Sequence, residues 1–257
     1  MEFTTKHIAI TGAGSGIGRA IAQRLDRAGA KLSLFGRRPE ALEETAGLLR
    51  GSAHWASLDI SDRSAVEFAF TDAVGVHGPL HALVANAGVG GSNSPADEGG
   101  DRFDELVDTN LRGTYYSMRA AQAHLVGREA GARHIIAISS ILARIGVPGY
   151  SGYCASKTAL LGLVRSLSVE LAPEGILVNA ICPGWVDTDM AWEGLDGMAG
   201  ALAISREAAH SIAMGDVPIG RMGKPAEVAG LVAYLLSDDA AGTTGSAIDI
   251  NGGAFMA

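Results

Sequence analysis

The stretch Thr11-Gly12-Ala13-Gly14-Ser15-Gly16-Ile17-Gly18 decides the fold. It follows the short apolar run His7–Thr11 and opens a segment of helical periodicity, Ile17–Ala28. A strand, a glycine-rich turn and a helix in that order place unblocked backbone at a helix N-terminus. There the free N–H groups and the partial positive charge of the helix attract phosphate. In a βαβ unit this is where a dinucleotide pyrophosphate rests.

Outward from that turn the pattern repeats. Apolar runs at Lys31–Phe35, Ala53–Leu58, Ala82–Ala85, His134–Ser139, Leu177–Cys182 and Ala247–Ile250 read as strands. They are near-continuous Val, Ile, Leu and Ala, as strands covered on both faces are. Amphipathic segments at Arg63–Val74, Phe103–Leu125 and Glu227–Leu236 lie between them. The alternation predicts an α/β fold: a Rossmann-like, doubly wound parallel sheet of about seven strands with helices on both faces. Residues 1–257 carry no linker and no repeat, so a single domain is expected. From Trp185 to Gly223 the rhythm breaks, and a stretch of that length predicts a substrate lid.

Composition narrows the function. Of 257 residues 35 are glycine, 47% are hydrophobic and 19% charged, enough apolar material for a core. Twenty Lys and Arg against 28 Asp and Glu leave a net charge of −8, which disfavours nucleic acid. No run approaches the ~20 apolar residues that span a bilayer, and no signal peptide opens the chain, so a cytoplasmic protein off the membrane is expected. Cys154 and Cys182 have no zinc or redox spacing and read as reduced thiols. His77 and His81 flank the helix-breaking Gly78-Pro79, the other histidines stand isolated in sequence, and no metal is expected.

The second strand ends Gly36-Arg37-Arg38, where an NAD site carries an acid for the ribose 2′-hydroxyl. A charge-assisted contact to a 2′-phosphate is worth roughly 1.5–3 kcal/mol. NADP(H) is therefore expected over NAD(H). Asp59, with Ile60 beside it, ends the third strand, where its carboxylate would accept from the adenine amino group or cap the next helix. Asn86-Ala87-Gly88 follows the fourth strand at the same carboxyl edge.

Tyr153 and Lys157 lie four apart on a helical stretch and share one face. An ammonium about 4 Å from a phenol contributes roughly 4 kcal/mol at an effective dielectric of 20, about three pKa units toward neutrality. Ser139-Ser140 ends the fifth strand upstream, where a hydroxyl would hold a substrate carbonyl against the tyrosine.

With these motifs in order, joined by Asn110 and Pro183-Gly184…Thr188, the chain resembles the short-chain dehydrogenase/reductase family in its compact form, over nearly its whole length. The resemblance implies that Tyr153 is the general acid/base and that Ser140 orients and polarises the carbonyl. It implies that Lys157 lowers the phenol pKa and holds the nicotinamide ribose, and that Asn110 holds a proton-relaying water. Gly12, Gly14, Ser15, Gly16, Ile17, Gly18, Pro183, Gly184, Val186 and Thr188 would bind the dinucleotide. Ile141, Leu142, Tyr150, Trp185, Met190 and Trp192 would line an apolar substrate pocket, with Arg144 available to a substrate anion. The stretches Cys182–Met190 and Pro218–Glu227 look like those of 3-oxoacyl and polyketide ketoreductases, which implies NADPH-dependent reduction of a hydrophobic ketone to a secondary alcohol. Enoyl reduction fits less well, because relatives that perform it usually space Tyr and Lys farther apart. An NAD-dependent secondary alcohol dehydrogenase working oxidatively and a non-catalytic dinucleotide sensor or scaffold are the alternatives. The resemblance also implies a homotetramer, with a dimer as the alternative.

Overall fold

The computed structural model describes residues 2–94 and 100–256. Seven strands form one parallel sheet in the order β3-β2-β1-β4-β5-β6-β7: β1 His7–Thr11, β2 Lys31–Gly36, β3 His54–Ser57, β4 Ala82–Ala85, β5 Arg133–Ile138, β6 Ile176–Pro183 and β7 Ala247–Ile250. The order reverses between β1 and β4, and the crevice beyond their carboxyl ends is where such sheets bind ligands. Thr11 pairs in register with Phe35 on one side and Ala85 on the other, so the turns after β1, β2 and β4 emerge side by side. The expected α/β architecture is the one found.

Alternation along the central strands divides the core. Ala9, Leu83, Ile135 and Val178 face one layer, while Ile8, Ile10, Val84 and Ile136 face the other. The first layer is covered by α3 Arg63–His77, α5 Thr114–Ala123 and α6 Ser151–Leu171. The second is covered by α1 Gly16–Asp26 and α9 Pro225–Leu235. The helix α2 Pro39–Gly47 packs beside β2 and β3.

One expectation is corrected. The single helix expected over Phe103–Leu125 is α4 Phe103–Val107, then a wide π-turn at Asp108–Gly113, then α5. The turn carries Asn110, whose side chain grips the main chain of Val89, and a π-bulge is a frequent device for re-aiming one residue at a functional site. The region after Trp185 holds two helices, α7 Asp189–Leu202 and α8 Arg206–Gly215, which form a small core of their own around Leu195, Met214 and Met222. Among the described residues no helix is long and apolar enough to cross a membrane.

His7, His54, His77 and His81 gather at the amino edge of the sheet. The His7 N–H donates to His81 Nδ1 at 3.1 Å, the His54 N–H donates to His77 Nε2 at 3.3 Å, and the His7 and His77 rings meet edge to face at 5.2 Å. Strand order brings together the starts of β1, β3 and the segment before β4, which separation along the chain hides. His134, on β5, is 2% exposed, and neither ring nitrogen has a hydrogen-bond partner among the described residues. Burial lowers both His7 and His134 to about 4.

The unfolded chain, with ordinary histidines near 6.5, therefore binds more protons than the folded one between about pH 4 and 6.5. Stability should be fully present above that window and fall through it on acidification, by about 1 kcal/mol per pH unit for each ring. Urea unfolding from pH 7 to 4.5 checks this. His134→Leu should stabilise the protein at pH 5 and flatten the slope, because no hydrogen bond is lost with the ring.

Candidate active site

The turn after β1 is built by close approach. Gly12 has φ of +67°, and a Cβ there would stand 2.7 Å from Ala87 Cα. A Cβ on Gly18 would stand 2.1 Å from the Gly12 carbonyl oxygen, so α1 could not begin so near the turn with any side chain there. Thr11, which sequence reasoning left as a plain strand residue, locks the arrangement. Its hydroxyl oxygen accepts from the N–H groups of Asn86 at 3.1 Å and Ala87 at 3.0 Å. Asn86 Nδ2 returns bonds to the carbonyls of Thr11 and Gly12, both at 3.1 Å. Asn86 thus fastens the turn rather than projecting from it.

Ser15 stands at the N-cap of α1 without using its side chain as a cap. Its hydroxyl instead accepts from Arg38 Nη2 at 3.1 Å. The first-turn N–H groups remain available to an anion, and a cleft of about 390 Å³ runs along Gly14, Ser15 and Gly16 with Arg38 on one side and Thr188 on the other. A glycine-floored cradle at a helix N-terminus with an arginine at its rim fits a phosphorylated dinucleotide. Arg37 is exposed at the same end of β2. Asp59 is exposed and accepts from the Ser61 N–H at 2.9 Å and the Ser61 hydroxyl at 2.8 Å. The cap of α3 is Asp62, which accepts from Ser64 and Ala65. The side chain of Ile60 is buried against Gly113 and belongs to the core.

Across the crevice four polar side chains converge. Asn110 is fully buried: Oδ1 accepts from Val89 N–H at 2.8 Å, and Nδ2 donates to the Val89 carbonyl at 2.9 Å and to Ser156 Oγ at 3.1 Å. A Cβ on Gly88 would lie 3.0 Å from Asn110 Oδ1 and 3.3 Å from Lys157 Nζ, so Gly88 is the floor both approach. Lys157 Nζ donates to the Ile138 carbonyl at 3.0 Å, and its burial pulls the ammonium down to about 8. Ser139 is turned inward, its hydroxyl donating to the Lys157 carbonyl at 2.9 Å. Ser140, the alternative expected to act, accepts from Leu142 N–H at 3.1 Å and meets the phenol of Tyr153.

The expected depression of that phenol is not found. Burial raises Tyr153 above its ordinary value, the Ser140 hydrogen bond offsets only part of this, and Lys157 Nζ stands 5.8 Å from the centre of the tyrosine ring. Desolvation of a neutral acid outweighs an ammonium that points past the ring to a carbonyl.

The lid contributes less to this site than expected. Met190 reaches it: a Cβ on Gly90 would lie 3.2 Å from Met190 Sδ and 3.9 Å from Tyr153 Cε2. Ile141 is buried beside Ser140, Leu142 is half-buried, and Tyr150 precedes Tyr153 at the start of α6. Trp185 turns away into the lid's own core, against Gly194 and beside Met214. Trp192 turns away as well: its Nε1 donates to Asp187 at 2.8 Å and its ring stacks on His210, 5.6 Å apart. Arg144 is held by Asp249 at 3.3 Å and by the Ala247 carbonyl at 2.8 Å, so it is tied to β7 and not open to a substrate. Thr188 caps α7 and lays its methyl 3.1 Å from where a Gly16 Cβ would be, closing the cradle from above. Pro183 ends β6, Gly184 passes against Asn251 where a Cβ would come within 2.9 Å of its Cα, and Val186 is buried below the lid.

Comparisons with known proteins agree with this geometry. A family profile described as enoyl-(acyl carrier protein) reductase matches residues 12–254. The putative ketoacyl reductase of the monensin polyketide synthase of Streptomyces virginiae is 37% identical, with 98% of each chain covered. The 3-oxoacyl-(acyl-carrier-protein) reductase of Escherichia coli (strain K12) is 32% identical, with all of both chains covered. Among solved structures, a variant of actinorhodin polyketide ketoreductase with NADPH superposes with a TM-score of 0.91 at 34% identity over 99% of each chain. Levodione reductase superposes at 0.90 with 32% identity over 98% of each. A glycine cradle at the β1–β4 switch point, the Ser140, Tyr153 and Lys157 cluster beside it, and end-to-end likeness to these reductases place the chain in the short-chain dehydrogenase/reductase family of oxidoreductases.

Proposed function

We propose that the protein is an NADPH-dependent ketoreductase that converts a hydrophobic ketone, of the 3-oxoacyl type, to a secondary alcohol in the cytoplasm. The observation that carries the reading is the meeting of Ser140 and Tyr153 beside Gly90, with Lys157 and Asn110 converging on Gly88. Ser140 holds the substrate carbonyl oxygen beside the phenol. A phenol kept above its ordinary pKa is protonated at neutral pH, the form that donates to a carbonyl oxygen. Lys157, with its ammonium held by the Ile138 carbonyl 5.8 Å from the Tyr153 ring centre, would stabilise by its charge the tyrosinate that donation leaves and would hold the nicotinamide ribose. Asn110, hydrogen-bonded to the main chain of Val89, stands where a water would return a proton. The glycine turn, Thr188, Arg37 and Arg38 would hold the dinucleotide, which supplies hydride when bound. Met190 and Ile141 give the reacting carbonyl apolar neighbours, which supports a hydrophobic substrate. The reductase names of the relatives support the same class. The Tyr153–Lys157 spacing of four supports carbonyl rather than enoyl reduction. Two free cysteines, Cys154 and Cys182, fit a reducing compartment.

Three measurements test this. Tyr153→Phe should lower kcat for ketone reduction by a factor of about a hundred or more while circular dichroism and NADPH binding persist. Near-normal turnover would refute its role. Arg37→Ala should weaken NADPH about ten-fold and NADH by less than two-fold, and equal losses would show that Arg37 does not read the 2′-phosphate. The homotetramer is part of the proposal, supported by the open edge of β7 and by Phe68 and Val169, which are 75% and 78% exposed on α3 and α6. Light scattering should give four times the chain mass of 26.3 kDa, and a monomer would overturn it.

A further inference from the structure

Arg19 lies on the first turn of α1 and faces the same cleft as Arg38, yet it is already engaged. Its Nε donates to Thr45 Oγ1 at 3.1 Å. Its Nη1 and Nη2 take the two oxygens of Glu44 at 2.8 and 2.7 Å, and Nη2 also donates to the Gly14 carbonyl at 2.7 Å. Thr45 is fully buried and anchored to the Ala41 carbonyl, so it fixes the guanidinium at its inner end. Glu44 is the movable partner: its side chain is 61% exposed, and the arginine holds its carboxyl below the usual range. The cleft thus contains two guanidiniums, one of them cancelled by a carboxylate that also stands in the cleft itself.

We propose that Glu44 sets the strength of cofactor discrimination: its bidentate grip masks Arg19 and adds an anion to the cleft, holding the preference for a 2′-phosphorylated dinucleotide below what two free guanidiniums would give. The inference rests on the reading that this cleft takes NADPH. A 2′-phosphate carries close to two negative charges near neutral pH, so a neighbouring carboxylate repels it and a released guanidinium attracts it. Neither affects a 2′-hydroxyl comparably. Arg19 differs here from Arg37 and Arg38, which have no acid in bidentate contact among the hydrogen bonds of the described residues.

The test is the dissociation constants of NADPH, NADH and the fragment 2′,5′-ADP for the full chain, read by fluorescence titration and calorimetry. Glu44→Gln should tighten NADPH and 2′,5′-ADP by about three- to ten-fold and change NADH by less than two-fold. The gain should shrink in 0.5 M salt, because exposed charges are screened. In an Arg19→Gln background the same change at Glu44 should yield a clearly smaller gain. An unchanged or falling NADPH-to-NADH preference in Glu44→Gln overturns the proposal, and so does a full gain that persists without Arg19. Glu44→Ala repeats the measurement should the glutamine variant fold poorly. The native preference is read separately from the unaltered protein. If that protein binds NADH more tightly while Glu44→Gln still shifts the ratio toward NADPH, the cofactor reading fails and the role of Glu44 stands.

Discussion

A Cβ at position 12 would come within 2.7 Å of Ala87 Cα, and that proximity organises the whole site. Two neighbouring strands end at the same level, and their turns touch backbone to backbone. Because position 12 carries no side chain, Thr11 and Asn86 can stitch the two turns with four hydrogen bonds. Because position 18 carries none, α1 starts immediately and aims its N-terminus at the crevice. The glycine turn that would hold the pyrophosphate is displayed from this junction, so steric room rather than attraction is its first requirement.

The second half of the site rests on burial. Lys157 is nearly inaccessible, and its ammonium is held by a main-chain carbonyl rather than by a carboxylate. A carboxylate would fix it more firmly as a cation and would also cancel its field. A carbonyl partner satisfies one N–H and leaves the charge uncompensated in a low dielectric, where it acts most strongly on a nearby developing anion. The same burial keeps Tyr153 protonated. Desolvation thus shifts the two residues in opposite senses, because it disfavours the charged form of each: the phenolate of Tyr153 and the ammonium of Lys157.

The strand pattern was legible to within a residue or two because a buried parallel strand is a local signal: β1, β4 and β7 fall on the expected residues. The glycine turn was legible because its constraint is written as missing side chains. Legibility ended where side-chain direction depends on distant packing. Met190 and Trp192 are close in sequence, but Met190 lies beside Gly90 with Tyr153 while Trp192 stacks on His210 of α8, since helical phase and distant partners decide which residues turn inward. Arg144 found Asp249 more than a hundred residues away, and Arg19 found Glu44 on the next helix. The π-turn at Asp108–Gly113 has no periodic signature, because it inserts one residue into an otherwise helical pattern.

The lid's private core carries a consequence for adaptability. Leu195, Met214, Val217 and Met222 hold α7 and α8 to one another, and the stacked Trp192 and His210 pin the pair on its outer side. Such a hairpin has a core separate from the two layers of the sheet. Met190, which lies beside Gly90 with Tyr153, is not part of that core, so a change there leaves untouched the residues that hold the two helices together. One short segment thus keeps its cohesion apart from the side chain it turns toward Tyr153.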